Sequence, residues 1–234
     1  MYEDLTNHFK HRKYNLVCRE SFYQMFSYFD DNFYMKKLPL SFYARKDVVT
    51  IARELIGKVI ITNFDGKITS ARIVETEAYV GITDKASHSY GNRRTARNEH
   101  MYSSAGTAYV YICYGLHQML NIVTNDRDVP DAVLIRAVEP IAGIDVMLER
   151  TGKKTADKTL TRGPGNVGKA LGIFKHHSGN HLLGHEIYLV DDHTKIPREN
   201  IGISARIGVE SAGADALRPY RFYVKGNKYV SGKK

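Results

Sequence analysis

Tryptophan is absent from this sequence, and cysteine occurs only as Cys18 and Cys113. Two thiols exclude a disulfide framework, fit a reducing cytosol and leave a cysteine-built metal site without support. The N-terminus mixes charges with aromatics and shows no apolar stretch of the secretory kind. Met101 to Asn125 contains no Asp, Glu, Lys or Arg. Its Ser, Gly, Gln and Asn residues and its alternating tyrosines argue against a membrane span all the same. Acidic residues are the scarcer charge, 25 against 34 Lys and Arg, which leaves a formal net charge of +9. That excess suits a polyanionic partner, nucleic acid or an anionic membrane face, and says nothing of fold. No internal repeat divides the 234 residues, of which 43% are hydrophobic, enough for one core with or without an appendage.

Asp65-Gly66 is the strongest short hairpin signal in the chain. Val59-Ile60-Ile61 precedes it, and Ile68 to Val80 is the expected returning strand. Period-two alternation then puts Glu75, Glu77 and Tyr79 on one face, with Val74, Thr76, Ala78 and Val80 on the other. Two carboxylates and a phenol above an apolar reverse make either a solvated sheet face or a site. On this stretch alone the solvated face is the commoner outcome. Asp47 to Ile56 reads as an amphipathic helix with Val48, Ile51, Ala52 and Leu55 inward and Gly57 as its stop.

Tyr109 to Tyr114 is expected as a strand turned by Gly115, with Leu120 to Val123 returning. Tyr109 and Tyr111 then share a face and Tyr114 sits at the hairpin end. Alternate tyrosines serve cross-strand packing or a stacking platform for bases. Val133 to Val138 is a buried-type strand with Arg136 at its middle, and a guanidinium there needs an acidic residue or a phosphate beside it. Pro140 is expected to start the next helix, with Ile144, Met147 and Leu148 inward. Two further β-like runs, Ile187 to Val190 and Ile203 to Val209, precede a last strand at Arg221 to Val224. The fold expected is a mixed α/β (α+β) domain dominated by antiparallel sheet.

Between the strands, Gly81 to Met101 is a loop by composition, and its Arg93, Arg94 and Arg97 are candidate phosphate contacts or a solvated run. Arg162-Gly163-Pro164-Gly165 opens a short helix and reads more readily as an ordinary turn than as a phosphate cradle. His177, His181 and His185 recur every four residues, but Gly179 and Gly184 oppose a helix there, so no metal site is expected. Residues 1 to 34 are aromatic without a period, and no function is read in them.

Taken together, several blocks resemble the alkyladenine (3-methyladenine) DNA glycosylase family. They are Arg72-Ile73-Val74-Glu75-Thr76-Glu77-Ala78-Tyr79, Ala86-Ser87-His88 and Tyr109-Val110-Tyr111-Ile112-Cys113-Tyr114-Gly115. Asn121, Leu134-Ile135-Arg136-Ala137-Val138-Glu139-Pro140, Gly163-Pro164 and Arg221-Phe222-Tyr223-Val224-Lys225-Gly226 follow in the family's order. The resemblance runs from about Leu38 to Gly232. It implies a single compact domain at residues 35–234, on a curved and mostly antiparallel sheet without a helix-hairpin-helix. The first 34 residues are then an extension, dispensable or preceding an alternative start at Met35.

The same resemblance implies a monofunctional glycosylase that flips alkylated or deaminated purines out of duplex DNA. Hypoxanthine, 3-methyladenine and ethenoadenine are the class of base, and simple hydrolysis leaves an abasic site. It implies Glu77 as the activator of water, with Arg136 helping to hold that water and the nearby phosphates. Tyr79, His88 and Tyr111 would line the pocket, Asn121 would reject guanine, Tyr114 would fill the gap in the duplex, and Arg93 and Arg97 would contact phosphates. No cofactor, metal or membrane is implied, a monomer is the default, and the setting is intracellular and DNA-associated. Two positions depart from the family pattern: Asn166 stands where some relatives carry lysine, and Asn92 breaks a glycine pair. A non-enzymatic nucleic-acid module explains the charge and tyrosines but not Glu77 beside Tyr79, since carboxylates repel DNA. A metal-dependent nuclease lacks a ligand cluster.

Overall fold

The computed structural model describes residues 35–232, so the expectation for the first 34 residues lies outside the described residues. In chain order the elements are β1 (Lys36–Lys37), α1 (Leu40–Tyr43), α2 (Val48–Glu54), β2 (Val59–Phe64) and β3 (Lys67–Tyr79). Next come β4 (Ala108–Cys113), β5 (His117–Thr124), β6 (Asp131–Ala142), α3 (Ile144–Thr151) and α4 (Pro164–Leu171). The chain ends with β7 (Ile187–Asp191), β8 (Ile201–Ser204) and β9 (Arg221–Val224). One open sheet takes the order β1-β7-β2-β3-β6-β5-β4, with β9 joining β3 to β8. These pairings are antiparallel.

Local chemistry sets most boundaries. Asp65 and Gly66 both take positive φ, 53° and 77°, as a two-residue hairpin of the twist-matched kind requires. Asp47 caps α2 by accepting the Thr50 N–H at 2.9 Å, and Val48, Ile51 and Ala52 are buried. The main core joins this face of α2 to Met147 of α3, to Val167, Ala170 and Leu171 of α4, and to one side of the sheet.

β3 is the axis. Its first half pairs with β2, its second with β9, and its other edge runs along β6. Simple alternation fails midway along the β3–β6 ladder, where Glu75 faces Ala137 while Val74 and Arg136 have no partner. The register resumes unchanged beyond that point, but the faces have exchanged parity. Ala71 and Ile73 enter the main core before the irregularity, and Ala78 enters it after. Thr76, on the same side as Ala78, donates to the Ala52 carbonyl. Val74 therefore does not share a face with Thr76 and Ala78 as expected; it packs with Ala137, Tyr229 and Val230. Irregular pairing of this kind re-aims side chains, and here Glu75 and Arg136 turn to the sheet's other side together.

Two other expectations are corrected. Pro140 does not start a helix: it lies inside β6 opposite Ala71, and α3 begins four residues later from Gly143 at φ 69°. β5 pairs β6 only over Asp131–Leu134, so Pro140 sits where that edge of β6 has no strand to receive an N–H. The run Ile203 to Val209 is not a strand either; β8 stops at Ser204 and residues 205–209 form a loop.

Gly168, inside α4, tests how closely this helix lies on β5. Glycine-to-alanine in a helix interior normally stabilises by roughly 1 kcal/mol. A Cβ on Gly168 would stand 2.3 Å from the Gln118 carbonyl oxygen, a backbone atom that cannot swing away. Gly168→Ala should therefore destabilise the fold by about 1–3 kcal/mol of overpacking, read as a lowered urea midpoint; a raised midpoint would show that α4 and β5 have room between them.

Candidate active site

Glu75 and Glu77 leave β3 on the side away from the main core, and neither is exposed to solvent. Arg136 lies between them, with Nε donating to Glu75 Oε1 and Nη1 to Glu77 Oε2, both at 3.2 Å. The charged partner that the apolar β6 sequence demanded is thus a pair of carboxylates. Glu75 is saturated by protein: its Oε1 also accepts from Arg221 Nε at 2.7 Å and Ser231 Oγ at 3.0 Å, and its Oε2 from the Ser231 N–H at 2.6 Å. Glu77 is held more lightly. Tyr79 donates its hydroxyl to Oε2 at 2.9 Å, and the Ile207 N–H donates to Oε1 at 2.8 Å.

Arg136, Tyr79 and Ile207, the groups that hold Glu77, all line a cavity of about 690 Å³. Glu77 itself sits just behind that wall. His88, Arg93, Arg97, Tyr111, Tyr114 and Asn121 line the same cavity. Of the nine candidate residues, eight lie on its surface and Glu77 touches two of them, Tyr79 and Arg136. The walls are aromatic: the His88 ring meets Tyr111 edge-on at 4.5 Å, and Tyr109 lies 5.6 Å from Tyr111. Tyr109 hydrogen-bonds His88 Nδ1 at 2.9 Å. Asn121 is fixed by its Nδ2, which donates to the Tyr109 and Met119 carbonyls at 3.2 and 3.3 Å.

The rim is a projecting hairpin and a basic loop. Tyr114 tops the β4–β5 turn at 92% exposure, on a backbone of φ 51° that aromatic residues seldom adopt. Leu116 beside it is 72% exposed. Arg93 and Arg97 are exposed, and the Arg97 guanidinium reaches over the Tyr111 ring at 5.7 Å. Arg94 is used internally, paired with Glu99 and Asp128. Among the described residues no group of three or more His, Cys, Asp or Glu could hold a metal. His177 instead stacks on Phe64 at 4.1 Å.

A model of the methylpurine-DNA glycosylase family matches residues 41–228. The chain belongs to the methylpurine-DNA glycosylase family. It is accordingly a DNA N-glycosylase, a hydrolase of DNA repair. A protein of Desulfitobacterium hafniense (strain Y51) assigned as a 3-methyladenine DNA glycosylase is 43% identical over 208 residues, 85% of this chain and 100% of its own. A Clostridium novyi (strain NT) protein of the same assignment is 44% identical over 206 residues, 85% of this chain and all of its own. One from Clostridium perfringens (strain 13 / Type A) is 42% identical over 205 residues, 84% and 100% of the two chains.

The two departures from the glycosylase pattern have local accounts. Asn92 stands at φ 62°, a left-handed conformation that asparagine tolerates better than other side chains. Asn166 is half-buried and donates Nδ2 to the Arg162 carbonyl at 2.8 Å. Sequence reasoning missed the loop at 205–209, which supplies the Ile207 N–H. The signal was present: Arg206 interrupts an apolar run as Arg136 does, and the same demand for a buried partner applies.

Burial raises the Glu77 carboxyl above the usual carboxylate range, against the opposing pull of Arg136, the Ile207 N–H and Tyr79. Burial works against the charge of Arg136, but Glu77 and Glu75 outweigh it and hold its pKa above the ordinary value. Burial, with Arg97 and Arg93 nearby, lowers His88 to about 4, so its ring is neutral at neutral pH. An NMR titration of the His88 ring should show no protonation midpoint between pH 8 and 5. Because the unfolded histidine takes its proton near 6.5 and the folded one near 4, His88 should subtract stability as pH falls through that window. A folded-state midpoint at 6.5 or above would mean the ring is solvated or paired with an acid.

Proposed function

We propose that this glycosylase takes an alkylated or deaminated purine, turned out of duplex DNA, into the aromatic cavity and hydrolyses its glycosidic bond with water activated by Glu77. The observation that carries this reading is the contrast between the carboxylates. Every oxygen of Glu75 is occupied by Arg136, Arg221 or Ser231, whereas the partners of Glu77 are cavity-wall groups. A carboxylate whose pKa is raised by burial takes a proton more readily than an exposed one does.

In the step proposed, water forms the new C1′–O bond as the bond from C1′ to the purine nitrogen breaks. The water proton passes to Glu77, and the bonding pair leaves with the base. A purine alkylated on a ring nitrogen carries positive charge and departs neutral; hypoxanthine needs a proton as it leaves. The sugar passes through an oxocarbenium-like state, which a carboxylate at short range stabilises. Arg136 would hold the water against Glu77. Tyr79, Tyr111 and the neutral His88 would enclose the base, and an uncharged imidazole adds no repulsion toward a cationic purine. The fixed Asn121 side chain would meet a guanine amino group as a steric block. Arg93 and Arg97 would bind phosphates, and Tyr114 would occupy the stack vacated by the flipped nucleotide. Double-stranded DNA inside the cell is the partner in this reading.

Single-turnover release of hypoxanthine or ethenoadenine from a one-lesion duplex, paired with equilibrium binding, tests the base. Glu77→Gln should bind at least as tightly as the parent and lose about two to four orders of magnitude in rate. Glu75→Gln should instead show itself in thermal stability, with far less loss per folded molecule. Near-parental turnover by Glu77→Gln would remove it from the mechanism.

Tyr114→Ala should stay folded and weaken binding to lesion duplex, because the inserted ring recovers part of the few kcal/mol of unstacking. Its salt dependence should hardly change, the phosphate contacts being intact. Unaltered affinity would make Tyr114 a hairpin-packing residue.

A further inference from the structure

Arg206 and Asp84 form an ion pair in which neither side chain has any solvent exposure. The guanidinium grips the carboxylate with both terminal nitrogens, Nη1 on Oδ2 and Nη2 on Oδ1, the latter at 2.8 Å. Nη1 also donates to the Ala78 carbonyl at 2.9 Å and Nη2 to the Asp215 carbonyl at 3.0 Å. The plane lies 4.8 Å from the Tyr79 ring and 5.4 Å from the Tyr220 ring. Asp84 in turn accepts the Val80 N–H at 3.1 Å and the Ala86 N–H at 3.0 Å. One buried pair thus joins the end of β3, the turn leading to His88, the loop at 205–209 and the turn at 210–217.

Stability alone does not account for such a pair. Buried ion pairs often do no better than well-packed apolar residues of the same volume. This one also leaves Arg206 Nε buried without a hydrogen-bond partner, a cost a purely stabilising arrangement would avoid. What the placement does achieve is local. The residue after Arg206 is Ile207, whose N–H meets Glu77 Oε1. The ring against which Arg206 lies is Tyr79, whose hydroxyl meets Glu77 Oε2.

We propose that the Arg206–Asp84 pair is a positioning device for Glu77: it fixes the Ile207 N–H and the Tyr79 ring so that both carboxylate oxygens stay aligned at the cavity wall. The inference rests on the reading of Glu77 as general base. The charged and titratable groups that face Glu77 are Glu75 and Tyr79 on its own strand, Arg136 on β6, Tyr111 on β4 and Arg206 from the loop. Of the donors around Glu77, the pair holds two, the Ile207 N–H and the Tyr79 hydroxyl.

The test uses two variants that preserve size or charge, Asp84→Asn and Arg206→Lys, each assayed on a duplex with one hypoxanthine. Single-turnover base release should fall about ten- to hundredfold, as for a sub-ångström misplacement of a reacting group. Binding to a duplex carrying a tetrahydrofuran abasic-site analogue should stay within about threefold of parent, since the phosphate contacts are untouched. The acidic limb of the rate profile should move to higher pH in both variants, because Glu77 loses a donor that favours its charged form. Arg206→Lys keeps the cation, and the anion lost in Asp84→Asn would by itself draw the Glu77 pKa down, so a limb moved to higher pH reports alignment rather than lost charge. In the parent protein, the Ile207 amide proton should resist hydrogen exchange and follow the Glu77 titration by NMR. An unmoved acidic limb in folded variants, a rate loss explained by weaker binding, or a freely exchanging Ile207 amide would overturn the proposal. If Glu77→Gln retains turnover, the general-base reading itself has failed. If Glu77→Gln is inactive and the limb in Asp84→Asn stays put, only the positioning role has.

Discussion

The guanidinium of Arg136 has carboxylates on two sides, and all three groups are withdrawn from water. Breaking such a cluster by removing one partner usually costs about 3–5 kcal/mol, so the rest of the central sheet has to accommodate it. Arg221 of β9 and Ser231 near the C-terminus complete the shell of Glu75. Two carboxylates are thereby matched by two guanidiniums, and the tail of the chain is tied to its central strand. The irregular β3–β6 pairing belongs to the same constraint. It lets Ile73 serve the core while Glu75 and Glu77, of the same parity in sequence, serve the other face.

Much of this was legible in the sequence where the signal is local. Asp65-Gly66 fixed a turn because both positions need positive φ, and the helix at 48–54 followed from its apolar stripe and its glycine stop at Gly57. Arg136 announced a buried acidic or anionic partner through the apolar residues on both sides of it. What failed to show were features decided between segments. The exchange of faces at Val74 depends on β6 skipping a residue at the same point, which no single-strand pattern carries. Pro140 looked like a helix start because proline favours the first turn; an edge without a neighbour admitted it to a strand. The run from Ile203 to Val209 has β-like composition, but Arg206 is drawn off to Asp84 and the ladder ends.

Electrostatics give the cavity two distinct walls. One is charged and buried, with Glu77 and Arg136 meeting at its edge; the other is aromatic and neutral, with His88 lowered well out of the physiological range. A positively charged rim of Arg93 and Arg97 depresses that histidine further and offers an attractive field to a polyanion. In the proposed reading the same arginines would guide the approach of DNA, and they also help set the protonation state of the wall.

Under the role proposed for Tyr114, the hairpin that carries it would bear on search kinetics. A protein inspecting a genome meets vast numbers of sound base pairs for each damaged one. A probe that had to become ordered at every encounter would lose conformational entropy, of order 1–2 kcal/mol per fixed residue, each time. Here the tip is preformed: its strands pair up to Cys113 and His117, and the ring stands on a backbone already in a sparsely used conformation. With Tyr114 as the inserted ring, inspection becomes a rigid-body trial whose success depends on how easily the local stack opens. Discrimination at that stage lies in the mechanics of the DNA, before any chemical group of the lesion has been touched.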